Sequence, residues 1–513
     1  MKTCLSSLAL GLVALSLVSS PALAQSTRAG GDDEPEAPLA DAFAQSALQW
    51  RAWGANTTLP ELDGGENTTS RDVYHRLRAR LDYSRDVLTL RAEADLLAGL
   101  IAGDTYPGVP LRADTGTRPR ARVAQRWLGD ALDPRQLYVS WLTPVGLLQV
   151  GMQTSTWGIG LVANAGDAEG LFNQSFGGDR AARALFATTP FAAASGVSWG
   201  SKLYVGVGAD MVWRDDFASF VDGDRAYQGL LSIFWRDDDT FAGLYTATRR
   251  QVDVEGSTLA VSIVDVAMTH EATVDDRFEL AIGAEAATLF GQTNRTYPRL
   301  GGDRVDVRAG GFAADVRLEH PASGLAGRVM FGAASGDANT DDDTLYRFRF
   351  DPNYKVGLVL FDHYIPAVTR LIYERAGDLG QLGQAPRGLG NFVNDGSVEN
   401  AVYVNPQLLF GDDDRLLAGV GVLKAWSPAG VADLYETFEN GGVPTGVRGS
   451  EELADLGWEV DLAARYRLHI GAEMTLEFKA EAGVLFPGSA FDDVEGAAAQ
   501  TQALARGRVA FEW

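Results

Sequence analysis

Between residues 458 and 470 every second position is apolar or aromatic: Trp458, Val460, Leu462, Ala464, Tyr466, Leu468 and Ile470. The complement is Glu459, Asp461, Ala463, Arg465, Arg467 and His469. After Gly471-Ala472 the pattern restarts with Met474, Leu476, Phe478, Ala480, Ala482, Val484 and Phe486, spaced by Glu473, Thr475, Glu477, Lys479 and Glu481. A period of two predicts strands with one face in apolar surroundings and the other in water. These runs are longer than the five or six residues usual for a soluble strand. The front of the chain repeats the pattern. Leu77, Ala79, Leu81 and Tyr83 oppose Arg76, Arg78, Arg80 and Asp82, and Leu88, Leu90, Ala92, Ala94 and Leu96 oppose Thr89, Arg91, Glu93 and Asp95.

Short turns punctuate the chain near 84–86, 144–146, 193–200, 237–239, 275–276, 321–324, 412–414 and 471–472. Longer connections fit 58–72, 98–134, 156–181, 214–224, 252–257, 293–303, 337–397, 427–455 and 487–500. Eight short and nine long connections join eighteen strands, the first starting near residue 46. The last runs Ala505, Gly507, Val509, Phe511, Trp513 on one face and Arg506, Arg508, Ala510, Glu512 on the other. Strands of nine to eleven residues or more suffice to cross a bilayer when tilted. Aromatic residues fall in two groups: Tyr83, Trp141, Trp235, Phe278, Phe410 and Trp513 near short turns, Trp213, Trp426, Trp458 and Phe486 near long loops. Two girdles are expected of a barrel that crosses two interfaces. The fold class is therefore all-β, a transmembrane antiparallel β-barrel of about 18 strands spanning 46–513. Segments 240–251, 258–270, 304–319 and 398–410 alternate poorly, and a bulge at Gly310-Gly311 would account for a change of phase.

The N-terminus carries Lys2, an apolar run from Leu8 to Val18, and Ser19-Ser20-Pro21-Ala22-Leu23-Ala24. That order reads as a secretory signal, 1–24, cleaved after Ala24. Residues 25–45 form an acidic periplasmic lead that is expected to be disordered. Cys4, the only cysteine, leaves with the signal, which excludes disulfide scaffolds and thiolate metal sites. The formal net charge of −24 disfavours nucleic acid as a partner.

The stretch from Leu147 through Gln149, Gly151, Thr154 and Trp157 to Gly160 resembles a strand-plus-loop phrase of large porin-like outer-membrane barrels, including the alginate-export type. Chain length and the C-terminal strand ending on Trp513 resemble the same class. The resemblance implies a Gram-negative cell outer membrane location and an outer-membrane diffusion channel or passive exporter for small polar solutes, anions among them. It also implies the barrel-assembly machinery, lipid and lipopolysaccharide as partners, with monomer and homotrimer both open. The alternative is a structural or adhesion barrel with an occluded lumen and partner-binding loops at 98–134 and 427–455.

The inward rows nominate pore-lining cations at mid-height: Arg76, Arg78, Arg80, Arg91, Arg465, Lys479, Arg506 and Arg508. They predict weak anion preference against the net charge, or else a wall stiffened by pairing with inward carboxylates. The connection 337–397 is too apolar for a solvated loop, with 354–361 and 365–373 rich in Val, Leu and Ile. It is expected to fold in as a constriction or cap, with a helix starting at Pro366; as a further hairpin it would give 20 strands. At its start Asp337, Asn339, Asp341 and Asp343 space oxygen ligands as in a calcium loop, without the glutamate at the twelfth position that such loops use. No other cofactor is expected. His75, His270, His320, His363 and His469 are scattered, and no Ser–His–acid grouping appears, so no enzymatic activity is expected.

Overall fold

The computed structural model describes residues 43–60, 66–103, 111–112, 120–121, 130–174, 177–192, 198–254, 256–295, 304–338, 343–377, 393–431, 454–471, 473–492 and 497–513. The signal, nearly all of the acidic lead, and most of 98–134 and 427–455 lie outside the described residues. The strands are β1 Phe43–Leu59, β2 Thr68–Arg85, β3 Leu88–Gly103, β4 Asp130–Thr143, β5 Gly146–Thr154 and β6 Arg180–Thr188. There follow β7 Leu203–Arg214, β8 Arg225–Arg236, β9 Thr240–Val252, β10 Thr258–Val274, β11 Phe278–Thr293 and β12 Val305–His320. The last six are β13 Leu325–Ala334, β14 Ala401–Asp412, β15 Leu416–Trp426, β16 Asp455–Ile470, β17 Met474–Pro487 and β18 Gln502–Glu512.

Each strand pairs antiparallel with its neighbour in sequence, and β1 pairs with β18, placing Trp50 opposite Phe511 and Gly54 opposite Gly507. Trp513 completes this seam by exchanging backbone hydrogen bonds with Leu48 at 2.7 and 2.9 Å. Closure removes every sheet edge, which is what allows a sheet to stand in a bilayer. The eighteen strands match the expected number, and the ring closes without the two further strands of the twenty-strand alternative: β13 pairs directly with β14, and among the described residues of 346–400 there is no further hairpin. The fold is a closed antiparallel barrel of eighteen strands. Among the described residues no helix is long and apolar enough to cross a membrane.

The face assignments follow the alternation. In β16 Trp458 and Leu462 are more than half exposed on the outside, while Glu459, Asp461 and Arg465 are buried inside. Tyr83, Trp141, Trp235, Phe410 and Trp513 are exposed at the short-turn end, as are Trp426, Trp458 and Phe486 at the other. The expected bulge at Gly310-Gly311 is absent: β12 pairs with both neighbours there without a break in register. The alternation blurs for another reason. On β10 the inward face is itself largely apolar, with Leu259, Val261, Ile263 and Ala267. On β12 the polar face changes sides: Val305, Val307 and Ala309 point inward beside exposed Asp306 and Arg308, and farther along Asp315 and Arg317 point inward. Where both faces are apolar, or the polar face switches, a period of two cannot be followed in the sequence. Register shifts occur instead in β2–β3, β3–β4, β6–β7 and β15–β16.

An unusual feature is where the core sits. Inward residues Ala309, Met330, Tyr403, Leu409, Leu423 and Leu485 pack in one buried cluster with Leu161, Phe348, Phe350, Leu358, Leu360 and Phe361. The second set belongs to connections, so two loops are folded into the lumen. One is 155–174. The other comprises 343–377 and 393–400 and contains the helix Ile365–Gly377, entered through a π-helical turn at Leu360–Tyr364. Pro366 is the second residue of that helix, where its missing N–H costs nothing.

Candidate functional site: a partitioned lumen

The two infolded loops are fastened by the same device to two parts of the wall five strands apart. On β11, the buried Glu285 carboxylate accepts the backbone amides of Ile159 at 2.7 Å, Gly160 at 3.0 Å and Leu161 at 3.1 Å. On β16, the buried Glu459 carboxylate accepts the amides of Leu358, Val359 and Leu360, the last two at 2.7 Å. Consecutive amides converge on one anion only if the backbone turns sharply, and each trio follows a glycine in the left-handed region. Gly158 has φ +52° and Gly357 φ +69°. A Cβ on Gly158 would lie 2.4 Å from the Glu285 carboxylate, and one on Gly357 would lie 2.8 Å from that of Glu459. Glycine is required on both grounds. The loops then meet each other, the Asp351 amide donating to the Leu161 carbonyl at 2.8 Å.

The cations that alternation pointed inward lie on the wall beside these loops, and all eight have carboxylate partners. Arg80 and Arg91 share Asp82, each at 2.6 Å. Arg78 pairs with Asp95 at 2.6 Å and reaches Asp167 of the first loop at 2.9 Å; Arg76 lies 3.8 Å from Asp95. Arg465 pairs with Asp413, and Arg508 with Glu477 and, at 3.3 Å, with Glu169 of the first loop. Lys479 pairs with Glu481 at 2.8 Å and donates to the carbonyls of Gly170 and Asn173. Arg506 bonds Glu481 at 2.7 Å and lies 3.6 Å from Asp362 of the second loop. Arg135 shares the parity of outward Leu137 and Val139, so alternation does not point it inward; it sits at the register shift between β3 and β4, is fully buried, and joins Glu93 at 2.9 Å to Asp167 at 2.7 Å.

Charge on the loops is set by this wall. Burial would raise the Asp167 carboxyl, but the guanidiniums of Arg135, Arg78 and Arg76 hold it below its ordinary value. Asp362, also buried, is held down by Lys355, His363 and Arg506. Asp179 is pushed well up, first by its removal from solvent and then by Asp351, Asp216 and Asp215, with Arg249 opposing.

Two cavities lie on the two faces of the infolded loops. The outer one, toward the long connections, has about 250 Å³ and reaches from Leu259, Thr293 and Phe217 down to Val162 and Asp351. The inner one, toward the short turns, has about 200 Å³ and reaches from Ile159, Asn353 and Tyr354 to Thr269, Glu271 and Asp413. Consecutive residues of the same two segments, 158–164 and 348–357, thus face opposite compartments and form the partition.

Of the calcium candidates, Asn339 and Asp341 lie outside the described residues. Asp337 accepts the Tyr346 amide at 3.4 Å, and the Asp343 carbonyl accepts the Asp306 amide at 2.8 Å. Among the described residues, the carboxyls that converge, with oxygens within 4.8 Å of one another, are Asp179, Asp216 and Asp351 on the outer cavity.

No family model matches the chain, and no curated protein matches it. Among solved structures it is similar to the outer membrane protein OprD from Pseudomonas aeruginosa, with 12% identity over 92% of this chain and 93% of that one and a TM-score of 0.51. It is equally similar to a substituted form of OccD1 (OprD), with 12% identity over 92% and 95% and a TM-score of 0.50. At that identity the likeness carries the fold.

Proposed function

We propose that the protein is an outer-membrane diffusion channel for small polar solutes, exported through a cleaved signal and inserted by the barrel-assembly machinery. One observation carries this reading: cavities open on both faces of a partition made of loops rather than of wall. An eighteen-stranded barrel is wide enough for an aqueous lumen. Here the loops divide that lumen into two cavities, and the path we propose for the solute runs between 158–164 and 348–357. Passage requires no energy source, and selectivity comes from the charges and shape of this path. The likeness in fold to OprD supports the reading.

The basic strip is a brace first. Its cations alternate with carboxylates, so the field along the path is close to balanced and only a weak anion preference is left despite the net charge of −24. Single-channel recording in a planar bilayer tests the proposal: discrete conductance steps are expected. A second reading, an occluded structural or adhesion barrel, is favoured by the dry cluster of Phe348, Phe350, Leu358 and Phe361 at the partition. A folded barrel that never conducts would select it.

A further inference from the structure

The inward surface of a barrel that passes water is ordinarily polar. Around the outer cavity it is not. Leu259, Val261 and Ile263 on β10, Leu289 on β11 and Val307 on β12 point inward and line that cavity as one aliphatic panel. Cross-strand register makes it continuous: Ile263 faces Leu289, Leu289 faces Ala309, and Val307 faces Leu345 of the second loop. Ile263 and Leu289 also support the infolded loops, but Leu259, Leu289 and Leu345 remain partly accessible. Packing the loop therefore does not use up the panel. The rest of the cavity lining is charged with both signs, Arg249, Arg347 and Arg349 lying with Asp179, Asp216 and Asp351.

We propose that the outer cavity is a binding site for a small amphipathic zwitterion, with a hydrocarbon portion of about four to six carbons laid on the β10–β12 panel. This rests on the channel reading for its physiological meaning but not for its test. A fully hydroxylated sugar would leave its hydroxyls against aliphatic carbon, and an inorganic ion would gain nothing from the panel. A zwitterion places its hydrocarbon on the panel and both charges on the charged part of the lining, where each finds a counter-charge. The volume of about 250 Å³ admits a molecule of that size.

The experiment uses the full barrel in lipid nanodiscs and four probes of identical head group: glycine, 2-aminobutyrate, norvaline and norleucine. Binding is measured by calorimetry, and conductance is recorded in parallel. Affinity is expected to rise about fourfold for each methylene seated on the panel, the factor that transfer of one buried CH₂ implies. Leu259→Ser, which puts a hydroxyl on the panel, should flatten the series, and Ile263→Ala, which removes aliphatic area without adding a polar group, should reduce its slope. Heat-modifiable gel mobility reports whether each variant barrel is folded. Affinity that does not grow with chain length, or that grows equally in folded Leu259→Ser, overturns the proposal. Binding without conductance would overturn the channel reading and leave this one standing; conductance without chain-length-dependent binding would do the reverse.

Discussion

The two loops inside the barrel solve one problem with one motif and differ in what lies behind it. Each presents three consecutive amides, preceded by a left-handed glycine, to a buried glutamate on the wall. In the loop 155–174 the amides belong to a tight turn. In 343–377 they open the turn that leads into the helix Ile365–Gly377. Glu459 therefore meets the positive end of a helix as well as three donors, a field that contributes up to about 2 kcal/mol when partly buried. The first loop compensates with ion pairs: Asp167 to Arg135 and Arg78, Glu169 to Arg51 and Arg508. The second relies on apolar burial, with Phe350, Leu358, Leu360 and Phe361 almost inaccessible. Both loops use charge and apolar burial, the first leaning more on ion pairs to the wall and the second more on its buried aromatic and aliphatic side chains.

The sharpest break in that comparison is Glu459→Ala. It leaves three buried amides without their acceptor and removes the anion from the helix end, a loss on the order of 4 kcal/mol in loop attachment. The barrel itself should still fold. Proteolytic cleavage within 343–377 and a larger single-channel conductance are expected, and an intact, protease-resistant second loop would show that apolar packing alone suffices. Glu285→Ala should act in the same direction but less, because the ion pairs of Asp167 and Glu169 remain.

The two loops should then respond differently to salt. In 1 M salt the Debye length falls to about 3 Å, which weakens the pairs of the first loop more than the packing of the second. Protease sensitivity within 155–174 should therefore rise with salt in Glu285→Ala, while Glu459→Ala should be nearly indifferent. Smaller again is the effect on ion selectivity. Arg78→Glu and Arg506→Glu each reverse a charge beside the partition, and a shift of the reversal potential toward cations by a few millivolts is expected under a salt gradient. No shift would make the strip a brace alone.

The smallest effect concerns pH. Asp179 is held above its ordinary carboxyl value in the folded protein, through burial and then Asp351, Asp216 and Asp215, with Arg249 opposing. The folded state thus binds this proton more tightly than the unfolded chain, so the carboxyl costs stability above the unfolded value and that cost disappears as pH falls below it. Asp179→Asn should therefore raise the thermal transition at pH 7, with the gain fading as pH approaches 4. A lower transition at pH 7 would contradict it.

The sequence by itself determined the barrel. Eighteen strands, their faces, the antiparallel order and the two aromatic girdles follow from a period of two, from polar turns, and from a bilayer that forbids unpaired backbone. The eight inward cations were legible for the same reason, since each lies on a strand whose outer face is apolar. Signal was lost along β10, where both faces are apolar and no alternation is left to read, and along β12, where the polar face changes sides part-way. The second loop announced itself by composition, and its helix begins one residue from Pro366. The first loop did not, because Trp157-Gly158-Ile159-Gly160 looks the same whether it lies outside the barrel or within it. Only the tertiary structure decided that both loops turn inward and that Glu285 and Glu459 hold them. Convergence of three amides on a carboxylate more than a hundred residues away, as at Ile159 and Glu285, depends on barrel closure bringing distant strands around one lumen, and no local pattern encodes that distance.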